Sequence, residues 1–100
     1  MLQVEYKNNR IRKICTKASD AVREYGIEMA KKIHMRIDEM IAAGSVEEML
    51  QQGIGRCHPL HHNRENQYAV NLVQPMRLVF EKRNGEIQIV SVIEIIDYHK

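Results

Sequence analysis

Three changes of pattern along the chain predict an α+β fold. A short N-terminal segment alternates apolar and polar residues, the middle repeats its apolar residues every three or four positions, and alternation returns after Gly55. The implied order is a strand, then helices, then a three-stranded antiparallel meander, with the helices on one sheet face. One hundred residues, 44% hydrophobic and 28% charged, are enough for one domain (1–100) with its own core, and no internal repeat or linker interrupts them.

Leu2, Val4 and Tyr6 alternate with Gln3 and Glu5, the period of a half-buried strand. Ile11, Ile14, Cys15 and Ala18 then fall on one helical face, with Arg10, Lys13 and Lys17 on another. Ser19 or Asp20 caps a new turn carrying Ala21, Val22 and Tyr25, which Gly26 breaks. A longer helix, Ile27 to Ala43, has Ile27, Ala30, Ile33, Ile37, Met40 and Ile41 as its buried stripe and Gly44 as an αL C-cap. His34 borders that stripe and reads as a half-buried structural histidine. Ser45-Val46-Glu47-Glu48 has capping-box spacing and starts a short helix ending near Gly53.

Beyond Gly55, Tyr68, Val70 and Leu72 alternate, Pro75 punctuates, and Met76, Leu78 and Phe80 alternate again. Asn84-Gly85 reads as a two-residue hairpin turn, which would pair Arg83 with Glu86, Phe80 with Ile89 and Leu78 with Ser91. The last strand, Glu86 to about Ile96, is apolar on both faces, as a strand inside a sheet would be.

Net charge is only +2, but the cations are clustered. Lys7 to Lys17 holds five cations and no acid, and Arg56 to Arg64 holds two arginines and three histidines without an acid. Such segregation permits an anionic partner, although a solvated helix face gives the same pattern. No run is apolar enough for a membrane helix, the N-terminus lacks the pattern of a secretion signal, and two distant cysteines read as reduced thiols. A soluble, cytoplasmic protein is expected.

Gly53-Ile54-Gly55-Arg56 lacks the Lys-Ser/Thr of a phosphate loop and does not follow a strand. Cys57, His58, His61 and His62 are zinc-ligand types, but neighbouring side chains on an extended segment diverge, so no metal site is expected. Asp97-Tyr98-His99 follows directly on the most hydrophobic strand and offers three polar residues suited to catalysis, or an ordinary tail.

Arg56-Cys57-His58-Pro59-Leu60, Asn63-Arg64, Gln67-Tyr68-Ala69, Leu72, Pro75, Arg77-Leu78-Val79-Phe80 and Asp97-Tyr98-His99, in that order, resemble the RelE/ParE toxin superfamily, and within it the HigB (killer protein) branch. The resemblance implies the compact RelE-like domain and a toxin of a type II toxin–antitoxin system. Such a toxin inhibits translation by cutting mRNA on the ribosome, without a metal or small-molecule cofactor. Its partners would be a HigA-like antitoxin and ribosome-bound mRNA, with no membrane. By resemblance the catalytic positions are His58, Arg77, Asp97, Tyr98 and His99. Arg10, Lys13, Lys17, Arg56, His61 and Arg64 are the candidate RNA contacts. Relatives carry Lys-Gly where this chain has His61-His62, and an aromatic residue where it has Met76.

These residue types suit the reaction. Metal-free RNA cleavage must take a proton from the 2′-hydroxyl, give one to the 5′-oxygen and stabilise charge on the phosphate. Histidine does either proton transfer near neutrality, and arginine's planar fork matches phosphate oxygens. Arg77 is out of phase with Met76, Leu78 and Phe80, so it should point to the opposite sheet face. For His58, Arg77 and the Asp97-Tyr98-His99 tail to converge, either Arg77 must reach along the sheet face or the first strand must bend between His58 and Tyr68. Two alternatives stay open: a ParE-like toxin that inhibits gyrase by protein contact, and a degenerate toxin that only binds its antitoxin.

Overall fold

The computed structural model describes residues 2–83 and 88–97. In chain order the elements are β1 (Gln3–Tyr6), α1 (Asn9–Thr16), α2 (Ala18–Tyr25), α3 (Ile27–Ala42), α4 (Val46–Gln52), a 3-10 turn (Ile54–Arg56), β2 (His58–Pro59), β3 (Gln67–Asn71), β4 (Met76–Arg83) and β5 (Ile89–Asp97). The strands form one sheet in the order β1-β5-β4-β3-β2. β1 runs parallel to β5 and every other pair is antiparallel. The α+β expectation holds, and β5 lies inside the sheet, as its two apolar faces required.

The meander has one strand more than expected. His58-Pro59 does not bend into the Tyr68 strand; it pairs beside it as β2, because the chain reverses between them. His62, Asn63 and Asn66 adopt positive φ in this reversal, and Leu60 N donates to Gln67 O at 2.9 Å to close it. Asparagine tolerates the left-handed region better than most residues, so a polar stretch turns back where an apolar one would extend.

The β4–β5 register is also corrected. Arg83 pairs with Ile89, Phe80 with Val92 and Leu78 with Ile95, with a bulge beside Val79 and Phe80. Asn84 and Gly85 themselves, and the turn expected there, lie outside the described residues; the described ladder ends at the Arg83–Ile89 pair. Burial explains the difference. The expected register would have turned Ser91 inward, whereas the observed one puts Val90 and Val92 beneath the helices, both without exposed surface. A one-residue slip exchanges the two faces, so the buried face outweighs local turn preference. The bulge then shifts the phase so that Ile95 also packs against the core.

Several helix details differ from expectation. The chain kinks at Lys17 (φ −122°, ψ 115°), so Ala18 begins α2 and is exposed instead of completing the α1 face. Lys17 is the N-cap of α2 with no side-chain hydrogen bond; Asp20 instead pairs with Arg23, and Ser19 caps nothing. In α3, Ile27 (63% exposed) and Ile41 (41%) lie off the stripe centred on Ile33 and Ile37, and Met29 joins the core. Ala43, not Gly44, caps α3, and its backbone is extended (φ −68°, ψ 148°). The capping box takes up this link: Ser45 Oγ accepts from Glu48 N at 3.0 Å, and Glu48 Oε2 accepts from Gly44 N at 2.8 Å. The left-handed cap appears at Gly53 instead (φ 66°, ψ 30°).

The main core lies between the helices and one sheet face. Ile33, Ile37, Met40 and Met49 meet Val70, Leu78, Phe80, Val90 and Val92 there. On the opposite face Leu60, Ala69 and Val79 form a smaller cluster with Ile93 and Ile96. His34 is half-buried, its ring nitrogen 3.0 Å from Ile14 O, tying α3 to α1. Cys15 and Cys57 are free and buried. No helix among the described residues is long and apolar enough to cross a membrane.

Candidate active site

The register of three strands brings His58 and Arg77 together. His58 pairs with Ala69, and Arg77 pairs with Asn71, two residues further along β3. Residues two apart share a face, so both side chains lie on the side away from the helices. His58 and Arg77 sit two strands apart, roughly 10 Å, and two residues along, roughly 7 Å. Only a long side chain spans that diagonal. Arg77 does so, its Nη1 reaching 3.2 Å from His58 Nε2.

That contact sets the tautomer. A guanidinium can only donate, so His58 Nε2 accepts and the ring proton sits on Nδ1, which donates to Arg56 O at 2.9 Å. In this arrangement Nε2 is the accepting nitrogen and is directed at Arg77.

The pair opens into a cleft of about 660 Å³, walled also by Arg36, Gly55, Arg56 and Asn71. No carboxylate lines it among the described residues. Arg36 enters from α3. Its Nε donates to Asn71 O at 2.7 Å and its Nη1 to Glu39 Oε1 at 2.7 Å, and its side chain is 13% exposed. The loop between α4 and β2 makes room for it. Gly55 has φ 57°, and a Cβ there would stand 2.7 Å from Arg36 Nε. Arg56, at φ 53°, follows in the same left-handed region.

Cys57 lies next to His58 in sequence but takes no part. Its thiol is pushed up to about 11 by burial, so it stays protonated near neutrality and is no nucleophile.

Of the other sequence candidates, Asp97 ends β5 opposite Met76, one position beyond Ile96, the partner of Arg77. Tyr98 and His99 lie outside the described residues. Arg56 shares the cleft, and His61 is exposed on the reversal after β2. Arg64 donates to Gln67 Oε1 and Glu94 Oε1 on the outer sheet face. Arg10, Lys13 and Lys17 stand on or beside α1, which packs against β1, the edge strand opposite β2, and against β5, and none of the three lines the cleft; Arg10 pairs with Glu24. The basic segments thus do not form one surface. Met76, where the resemblance expects an aromatic residue, packs against the helix-side core.

Sequence reasoning missed Arg36, which reads as one more cation beside the stripe residue Ile37. The signal that could have found it is Gly53-Ile54-Gly55, since paired glycines often mark a close approach. Set aside as a phosphate loop, the segment forms a wall of the cleft.

No family model matches the chain, and no curated protein matches it. Among solved structures it is similar to a YoeB/ParE toxin from Agrobacterium tumefaciens, with a TM-score of 0.66 and 13% identity, covering 96% of this chain and 98% of that one. At that identity the likeness is one of fold. One N-terminal strand, a helical layer and an antiparallel run closing the sheet give this chain the fold of a RelE/ParE-type toxin.

Proposed function

We propose that the protein is the toxin of a type II toxin–antitoxin system, of the HigB kind, and that it inhibits translation by cutting ribosome-bound mRNA. The observation that carries this reading is the contact of Arg77 with His58 Nε2 in a cleft walled by cations. A phosphodiester entering the cleft competes for the Arg77 guanidinium, since a charged phosphate binds it better than a neutral ring nitrogen. His58 Nε2 is then released to take the 2′-hydroxyl proton. The 2′-oxygen attacks phosphorus, the bond to the 5′-oxygen breaks, and Arg77 stabilises the charge on the crowded phosphate. By the family resemblance His99 returns a proton to the 5′-oxygen, Tyr98 stacks on a base and Asp97 orients a partner. The antitoxin in this reading is a HigA-like protein that forms a stable complex with the chain.

The test is a cell-free translation system given the purified chain. Codon-located mRNA cuts that vanish when ribosomes are withheld support the reading. Intact mRNA accompanied by gyrase-dependent DNA breaks would favour gyrase inhibition by protein contact. Neither activity, with antitoxin still bound, would mark a degenerate toxin.

A further inference from the structure

We propose that Arg36 forms a second phosphate subsite, holding the phosphodiester next to the one that Arg77 and His58 engage. The inference rests on the ribonuclease reading and adds a residue to it. Arg36 belongs to the helical layer, yet it lines the same cleft as Arg77, with no carboxylate among the described lining residues. Its guanidinium is fixed on two sides. Nε is spent on the Asn71 carbonyl and Nη1 on Glu39. Nη2 has no partner among the described residues and is the donor left for a ligand.

Two further features indicate a built site. Gly55 supplies the space in which the guanidinium lies, since a Cβ would crowd Arg36 Nε and Cδ. Asn71 holds Arg36 through its backbone oxygen while its side-chain Oδ1 is buried with no hydrogen-bond partner among the described residues. A buried acceptor beside anion-binding guanidiniums suits a ligand that carries both negative charge and a donor. A nucleotide has both: the phosphate for Arg36, and a ribose hydroxyl or base N–H for Asn71. Arg36 and Arg77 meet the β3–β4 pair at adjacent points, Arg36 at the Asn71 carbonyl and Arg77 as the register partner of Asn71.

The experiment measures binding of the full chain to two short RNAs made uncleavable by a 2′-O-methyl group. One is a dinucleotide with a single phosphodiester, the other a trinucleotide with two. The unaltered chain should bind the trinucleotide about tenfold more tightly, with a salt dependence steeper by about 0.7 in slope for the added phosphate. Arg36→Gln, which keeps a donor for the Asn71 carbonyl and loses the charge, should erase that advantage and leave dinucleotide affinity within about twofold. Retention of the advantage overturns the subsite while leaving the ribonuclease reading in place. Loss of dinucleotide binding to the same extent also overturns it, since Arg36 would then act only on the shape of the cleft. An unaltered chain that binds neither RNA overturns the subsite, and leaves the ribonuclease reading to the cell-free translation test. If Arg36→Gln does not fold, Arg36→Lys decides the matter. Its one ammonium cannot hold Asn71 and a phosphate in a fork, so the advantage should shrink, and an unchanged advantage overturns the subsite.

Discussion

His58 and Arg77 touch across β3, and the residue that lets them is Ala69. Ala69 is the register partner of His58 and has no exposed surface, and its single methyl leaves the diagonal over the sheet open. A larger side chain there would crowd Leu60 and Val79, with which Ala69 packs on the same face. The contact between the two thus depends on a small residue that belongs to neither of their strands.

The first expected outcome concerns that pair. Arg77→Ala and His58→Ala should each lower mRNA cleavage on translating ribosomes by at least about 10²-fold, with urea unfolding midpoints close to those of the unaltered chain. Full activity in both variants would remove the ribonuclease assignment from these residues. Ala69→Leu should lower cleavage too, with an overpacking cost of about 1–3 kcal/mol in the same unfolding measurement.

Phe80 should carry more of the stability than any polar contact. It is buried without exposed surface and stacks on Tyr68, with centroids 5.7 Å apart. Phe80→Ala should cost about 3–5 kcal/mol in urea unfolding. A loss below about 1 kcal/mol would mean that the helices do not pack on this face as described.

Acid should weaken the α4–β4 contact. Glu47 is held down to about 2 from its ordinary 4.5, first by its hydrogen bond from Lys82 and then by one from Gln88. Its folded value is lowered, so the stabilisation is present above about pH 4.5 and is lost as pH falls towards 2. Glu47 is 57% exposed, so solvent screening keeps the effect small. Glu47→Gln should flatten the acid limb of the stability curve between those values, and high salt should narrow the gap between variant and parent. Parallel curves for the two proteins at low salt would refute the contact.

Both thiols should resist modification. Burial raises Cys15 to about 12 and Cys57 to about 11. At pH 8 the native chain should react with an aromatic disulfide reagent at least about 10²-fold more slowly than the denatured chain. Rapid labelling of Cys57 in the folded protein would show that the wall of the cleft opens.

What could be read from the residues follows the range of the forces involved. Strand and helix periodicities are local, and they located β1, α3, β3 and β4 and placed Arg77 on the outer face. The Ser45 capping box is equally local and appears as its spacing implied. The β4–β5 register was misread because Asn84-Gly85 states a preference worth little beside the burial of Val90 and Val92. Arg36 was illegible for a related reason. Its role arises from Asn71, thirty-five positions away, and from a missing side chain at Gly55, and no periodicity records either.

The sheet order has a consequence for how the protein is made. Among the described residues β5 comes last in sequence, yet it alone links β1 to the other strands. Gln3 finds its partner at Ile89, so the chain must be synthesised to that point before the pairing can form. Until then β1 and β4 each expose an open edge, and the strand that carries Arg77 lacks one neighbour. A nascent chain stopped before Ile89 has no complete sheet on which to hold the cleft. The sheet is therefore completed in one late step, when β5 pairs between β1 and β4.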